Sequence, residues 1–186
     1  MRILVACEWS GVVRDALLDR GHFALSCDLE PTGIPGPHYQ GDVRDVLYGG
    51  WDMMIAFPPC DHLAASGAPW WMRKRADGRQ QVAVAFFMQL ATAPIPKIAI
   101  ENPVGVMSRM WRSPDQTVEP FEFGDPWRKR TQLWLKGLPP LKPTDVVEPV
   151  NGSWVDSGTV RGRHRNPKHR GTTFPGIARA MAEQWT

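Results

Sequence analysis

Cysteine is scarce in this chain of 186 residues: Cys7, Cys27 and Cys60 stand far apart, with no CxxC pair and no histidine at ligand spacing. That pattern reads neither as a disulfide framework nor as a zinc site, and the simplest expectation is a reduced, cytoplasmic setting without metal. No apolar run approaches membrane-spanning length, and the opening MRILVAC meets Glu8 too soon to read as a signal peptide. The expectation is therefore a soluble protein. GxGxxG is missing as well, so the first strand-to-helix turn is a poor phosphate cradle. Neither sign of charge dominates; a net charge of +3 argues only weakly for a polyanionic partner.

What is there suffices for one domain spanning residues 1–186. Forty-two per cent of the residues are hydrophobic, enough for a real core. Apolar runs at 2–6, 23–27, 51–57, 97–100 and 132–136 predict strands. Helical spacing over 12–17 predicts a helix stopped at Gly21, and 80–92 and 177–185 read as two more. The segment 29–40, rich in Pro and Gly, reads as loop. Strands alternating with helices predict an α/β fold, a Rossmann-like sandwich whose mostly parallel sheet is covered on both faces.

Polar residues gather where those strands end: Glu8 and Ser10, Asp28, Cys60, Glu101. That edge is where open α/β sheets bind ligands. In the turn Cys7-Glu8-Trp9-Ser10-Gly11, small residues let backbone approach a ligand. Asp28 at the end of the second strand suits ribose hydroxyls. Asp42 beside Val43 offers a carboxylate and an apolar neighbour, as an adenine amino group requires. A nucleoside lacking pyrophosphate fits this set better than a dinucleotide does, and S-adenosylmethionine is such a ligand.

Basic residues fall in two stretches. Residues 161–170, RGRHRNPKHR, hold five Arg or Lys, two His and no acid. Residues 70–79, WWMRKRADGR, add four basic residues and two adjacent Trp. Either alone reads equally well as a solvated loop. Together they fit phosphate contacts with base stacking.

In order along the chain, ACEWSG, SCDLEP, GDVRDV, FPPCDHLAASG, IAIENP, RKRTQLWLKGLP and GTTFPGIARAMAEQW resemble the motifs of the cytosine-C5 DNA methyltransferases, especially compact phage-type members. The resemblance implies a class I methyltransferase sandwich acting on DNA with S-adenosylmethionine as methyl donor. It implies Cys60 as the nucleophile that adds to cytosine C6, Glu101 as the proton donor at N3, and Arg130 on the O2 side. It assigns the cofactor pocket to Glu8, Ser10, Gly11, Asp28, Leu29, Asp42, Val43, Pro58 and Thr173. DNA contacts would fall to Ser66, Trp71, Arg73, Arg75, Arg163, Arg165 and Lys168. Two departures stand out: the first motif usually reads Phe-x-Gly-x-Gly, and the family's second arginine is here Gln132. The target-recognition segment shrinks to about 138–170, which predicts short or relaxed specificity, or help from a dimer; monomer and homodimer stay open.

Three other readings compete. An amino-directed methyltransferase would need Asp, Asn or Ser where Phe57 stands and an aromatic where Cys60 stands. An enzyme of the same family could transfer another group or act on a modified or free pyrimidine. A catalytically silent DNA-binding module would have no use for Cys60 and Glu101.

Overall fold

The computed structural model describes residues 1–150 and 171–186. Its centre is a seven-stranded sheet: β1 (Arg2–Ala6), β2 (Phe23–Asp28), β3 (His38–Gln40), β4 (Met53–Ala56), β5 (Lys97–Pro103), β6 (Gln116–Val118) and β7 (Thr131–Lys136). The order across it is β3-β2-β1-β4-β5-β7-β6. β1 to β5 run parallel, and β7 is antiparallel to both β5 and β6. The α/β fold with a mostly parallel sheet expected from the alternation is what the chain adopts.

Helices complete the layers: α1 (Val12–Leu18), α2 (Trp71–Ala76), α3 (Arg79–Ala91), α4 (Met107–Met110) and α5 (Pro175–Trp185). The central strands are apolar almost throughout because both faces are covered, and their side chains alternate between two cores. Ile3, Val5, Met53, Ile55, Ala99 and Leu133 meet α1 and α5. Leu4, Ala6, Met54, Ile98, Ile100 and Trp134 meet α3 on the other face.

Three elements depart from the expected pattern. β3 lies inside the stretch read as loop, because three residues of mixed polarity pairing with the β2 edge carry no apolar signal. β5 extends past Ile100 through Glu101, Asn102 and Pro103, because β7 continues the ladder to the Pro103–Thr131 pair. β4 is shorter than 51–57, leaving Trp51 to pack at its entrance. The short β6, α2 and α4 lacked a periodic signature of useful length.

Phe87 on α3 is fully buried between the edges of Trp134 and Trp111, with ring centroids 5.2 and 6.0 Å away. Replacing Phe87 by Ala should cost about 3–5 kcal/mol through the cavity left behind. Urea unfolding followed by tryptophan fluorescence measures it; a loss below about 1 kcal/mol would mean that this wedge does not hold the layer.

Candidate functional site

Going outward from β1, the chain runs one way to β2 and β3 and the other way through β4. A crevice opens beyond the strand carboxyl ends at such a reversal. A cavity of about 520 Å³ lies there, within the range of small-ligand sites. Asp28 and Leu29 from the end of β2, Gly41 to Arg44 after β3, and Cys7 after β1 form one side. Pro59, Asp61 and His62 after β4 and Val82, Ala83 and Phe86 of α3 form the other. Among the described residues, the two arginines of the wall each face a carboxylate: Arg44 Nε lies 3.1 Å from Asp42, and Arg79 Nε donates to Asp77 at 2.9 Å. The described lining is otherwise largely apolar, with carboxylates and no unpaired guanidinium to hold phosphate.

Four of the residues expected to bind cofactor thus line one cavity: Asp28, Leu29, Asp42 and Val43. The other five have different surroundings. Ser10 Oγ donates to Glu8 Oε1 at 2.5 Å, and the same oxygen accepts from the Val13 backbone N–H at 3.3 Å. Glu8 and Ser10, both buried, therefore tie the first turn of α1. Gly11 has φ of 82°, and a Cβ there would strike the Arg14 guanidinium. Pro58 is buried beneath its loop, and it is Pro59 that reaches the cavity. Thr173 is half-buried just ahead of α5 and is not among the residues lining the cavity. Cys7 packs against the core and also sits in the wall, with a left-handed φ of 57°. Burial pushes its thiol well up, and that of Cys27 up to about 12.

Cys60 follows β4 on a loop tied at both ends. Asn102 Nδ2 donates to the Pro58 carbonyl at 2.9 Å, binding the strand that carries Glu101 to the loop that carries Cys60. Farther on, Ala65 N–H donates to the Val104 carbonyl at 2.7 Å and Val106 N–H to Leu63 at 2.9 Å. Gly105 lies so close to the Leu63 carbonyl that any Cβ would collide with it. Between these ties, the Cys60 carbonyl accepts from the N–H groups of Leu63 and Ala64 at 2.9 and 2.8 Å.

Glu101 accepts a hydrogen bond from Thr131 Oγ1 at 3.0 Å. Burial holds its carboxyl above the usual carboxylate range, against the opposing pull of Lys129 and the Thr131 hydroxyl. Burial also raises the Cys60 thiol, helped by Glu101 and Asp61, while Lys129 lowers it. The Cys60 thiol is half-buried, and two carboxyls and one lysine act on it in opposite directions. Arg130 lies apart from this pair. Its side chain is 68% exposed and its Nε lies 3.7 Å from Glu119. Asn102, Thr131 and Lys129 were missed as site residues; only their place in the Glu-Asn and basic motifs could have pointed to them.

Beyond Cys60, Ser66 and Arg73 are exposed, and Arg75 Nε donates to Gln80 Oε1 at 3.1 Å. Of the tryptophan pair, Trp71 packs half-buried against the core, whereas Trp70 is 61% exposed. Arg163, Arg165 and Lys168 lie outside the described residues, as does much of the segment 138–170. Among the described residues no helix is long and apolar enough to cross a membrane, and no group of three or more His, Cys, Asp or Glu is arranged to hold a metal ion. No protein-family model and no curated protein matches the chain.

Glu101 should leave a mark on stability. Its folded-state pKa is raised, so its contribution is fully present below the unfolded value of about 4.3 and is lost as pH rises through the folded value. Glu8, raised by burial in the same direction, acts alike. Glu101→Gln removes one of the two terms, so its urea midpoint should fall less than that of the unsubstituted protein between about pH 5.5 and about pH 8.5. Equal falls would show that Glu101 titrates in the folded chain as it does in water.

Proposed function

We propose that the chain is a DNA cytosine-5 methyltransferase that uses S-adenosylmethionine. The observation that carries this reading is the pairing of a half-buried Cys60 with a half-buried Glu101, whose carboxyl desolvation holds above its ordinary range, across the adjacent strands β4 and β5, beside a nucleoside-sized cavity.

The cavity suits the cofactor. Asp28 and Asp42 offer acceptors for ribose hydroxyls and an adenine amino group, and Val43, Val82 and Phe86 offer an apolar wall for a flat ring. Bound there, the cofactor would supply an electrophilic methyl group for C5. The remaining work belongs to the protein. Cytosine C5 is a poor nucleophile until a thiolate adds at C6. The Cys60 thiol loses its proton to solvent, and Sγ forms a bond to C6. The displaced electron pair moves through the ring to N3, where the Glu101 proton is received. That proton must still be present near neutral pH, which is what burial of Glu101 favours. After C5 has been methylated, its proton leaves to water, Cys60 departs from C6 as thiolate, and the N3 proton returns to Glu101 as aromaticity is restored. A base in duplex DNA must be extruded for this, since C6 has to meet Sγ. Exposed Ser66, Trp70 and Arg73 beyond the loop are suited to the surrounding strand.

A duplex carrying 5-fluorocytosine tests the reading, because fluorine at C5 cannot leave as a cation. With cofactor present, a covalent adduct at Cys60 is expected by mass spectrometry, and none with Cys60→Ser. Asp28→Ala should weaken cofactor binding about tenfold or more by calorimetry, since a charged acceptor is removed. No adduct across DNA of varied sequence would sink the proposal. Methyl groups found on adenine N6 or cytosine N4 would transfer it to the amino-directed class.

A further inference from the structure

Arg14, on α1, is fully buried. Its Nε donates to Asp15 Oδ1 at 2.8 Å, Nη1 to Ser26 Oγ at 3.2 Å and Thr32 Oγ1 at 3.0 Å, and Nη2 to the Ile34 carbonyl at 2.9 Å. Removing a guanidinium from water is costly, and apolar residues of similar volume often fill such a place at least as stably. A role beyond filling space is therefore called for. The segment that closes over Arg14, residues 29–37, contains three Pro and two Gly and has few backbone donors of its own. It packs so tightly that a Cβ at Gly36, like one at Gly11, would strike the guanidinium.

The bonds beyond Arg14 run in one direction. Ser26 and His38 are partners in the β2–β3 register. The Glu30 carbonyl can only accept, so His38 Nε2 carries the hydrogen of the bond between them at 3.0 Å. In the neutral ring Nδ1 then accepts from the Ser26 hydroxyl at 2.9 Å, a closer contact than the 3.3 Å from that hydroxyl to the Pro37 carbonyl. Glu30 in turn donates its N–H to Asp28 Oδ1 at 3.0 Å. The chain thus passes from Arg14 through Ser26, His38 and Glu30 to Asp28, which lines the cavity. Successive donors of this kind polarise and reinforce one another. From this geometry we infer that Arg14 is a positioning residue for the cavity: through that chain it holds the Asp28 carboxylate in the orientation that receives ribose hydroxyls. The inference rests on the proposed reading of the cavity as a cofactor site. A carboxylate fixed in advance binds a diol without first losing rotamer freedom, so the effect appears in affinity for the sugar.

Calorimetry with S-adenosylhomocysteine, with adenosine and 2′,3′-dideoxyadenosine as competitors, tests this. The ratio of the two nucleosides' affinities, taken on one variant, does not depend on how much of that variant is folded, so a merely structural role would leave it unchanged. The unsubstituted protein should prefer adenosine by about tenfold or more, and Asp28→Ala should bring the ratio close to one. Arg14→Met should lower the ratio about threefold or more, and Ser26→Ala, which cuts the chain at its second member, should lower it in the same direction. Should Arg14→Met fail to fold, Ser26→Ala decides the matter alone. In the double variant Ser26→Ala with Asp28→Ala, the affinity for S-adenosylhomocysteine should fall no further than in Asp28→Ala, because both changes act on one carboxylate. A ratio unmoved by Arg14→Met and Ser26→Ala, or losses that multiply in the double variant, overturns the inference while the cofactor reading survives. If the unsubstituted protein does not bind S-adenosylhomocysteine, the reading has failed and the role of Arg14 with it.

Discussion

One hydrogen bond joins the two halves of the candidate site: Asn102 Nδ2 to the carbonyl of Pro58. Pro58 and Pro59 cannot donate backbone N–H groups, so the loop leaving β4 has little of its own with which to hold shape. A buried side-chain amide from the next strand supplies the missing tie. Because Asn102 follows Glu101 directly, the bond that positions the Cys60 loop also fixes its distance from the carboxyl. Period-two alternation sends Glu101 to one face of the sheet and Asn102 to the other. Adjacent residues can therefore serve chemistry and anchoring without competing for space.

Burial, rather than pairing, sets the charge state of this pair. Both Glu101 and Cys60 are raised chiefly by desolvation, and the Glu101 carboxylate makes the Cys60 thiolate harder to form. A protonated acid beside a neutral thiol is the resting arrangement such surroundings favour. It is also the arrangement a ring nitrogen awaiting a proton requires, since an ionised Glu101 could only accept. The cost is a poorly activated nucleophile, and among the described residues the cation that opposes this at Cys60 is Lys129. Activation and proton donation thus pull on the same electrostatics from opposite sides.

The layered fold was legible because covered parallel strands leave unbroken apolar runs, and β1 and β2 could be read almost residue by residue. The end of β2 was legible too, and Asp42 and Val43 stood out by type although β3 did not; together with Asp28 and Leu29 they line one cavity. Glu8 and Ser10 show the limit of that logic. A polar residue at a strand end can face a ligand or the helix that follows, and only coordinates reveal that these two serve α1. Pro58 and Pro59 differ likewise by a single step of backbone direction. Trp70 and Trp71 are indistinguishable by type, yet one packs on the core and the other faces solvent. In the run Arg128-Lys129-Arg130, composition cannot tell the cations apart; in the fold Lys129 lies over the Phe174 ring and Arg130 beside Glu119.

The antiparallel β7 has a consequence that an all-parallel sheet could not supply. A parallel neighbour on that side of β5 would send its carboxyl end toward the site and its beginning away. Running backwards, β7 instead enters the sheet at the ligand edge, so the residues preceding it and its first residue, Thr131, arrive beside Glu101. The chain thereby brings basic residues to the carboxyl edge from a strand's start, where parallel strands contribute only their ends. Phe174 reaches the same place from the foot of α5 and meets Lys129 there, while Gly176 N–H donates to Asp125 Oδ2 at 2.8 Å on the segment leading into β7. The last helix is thus fastened to the approach of the reversed strand.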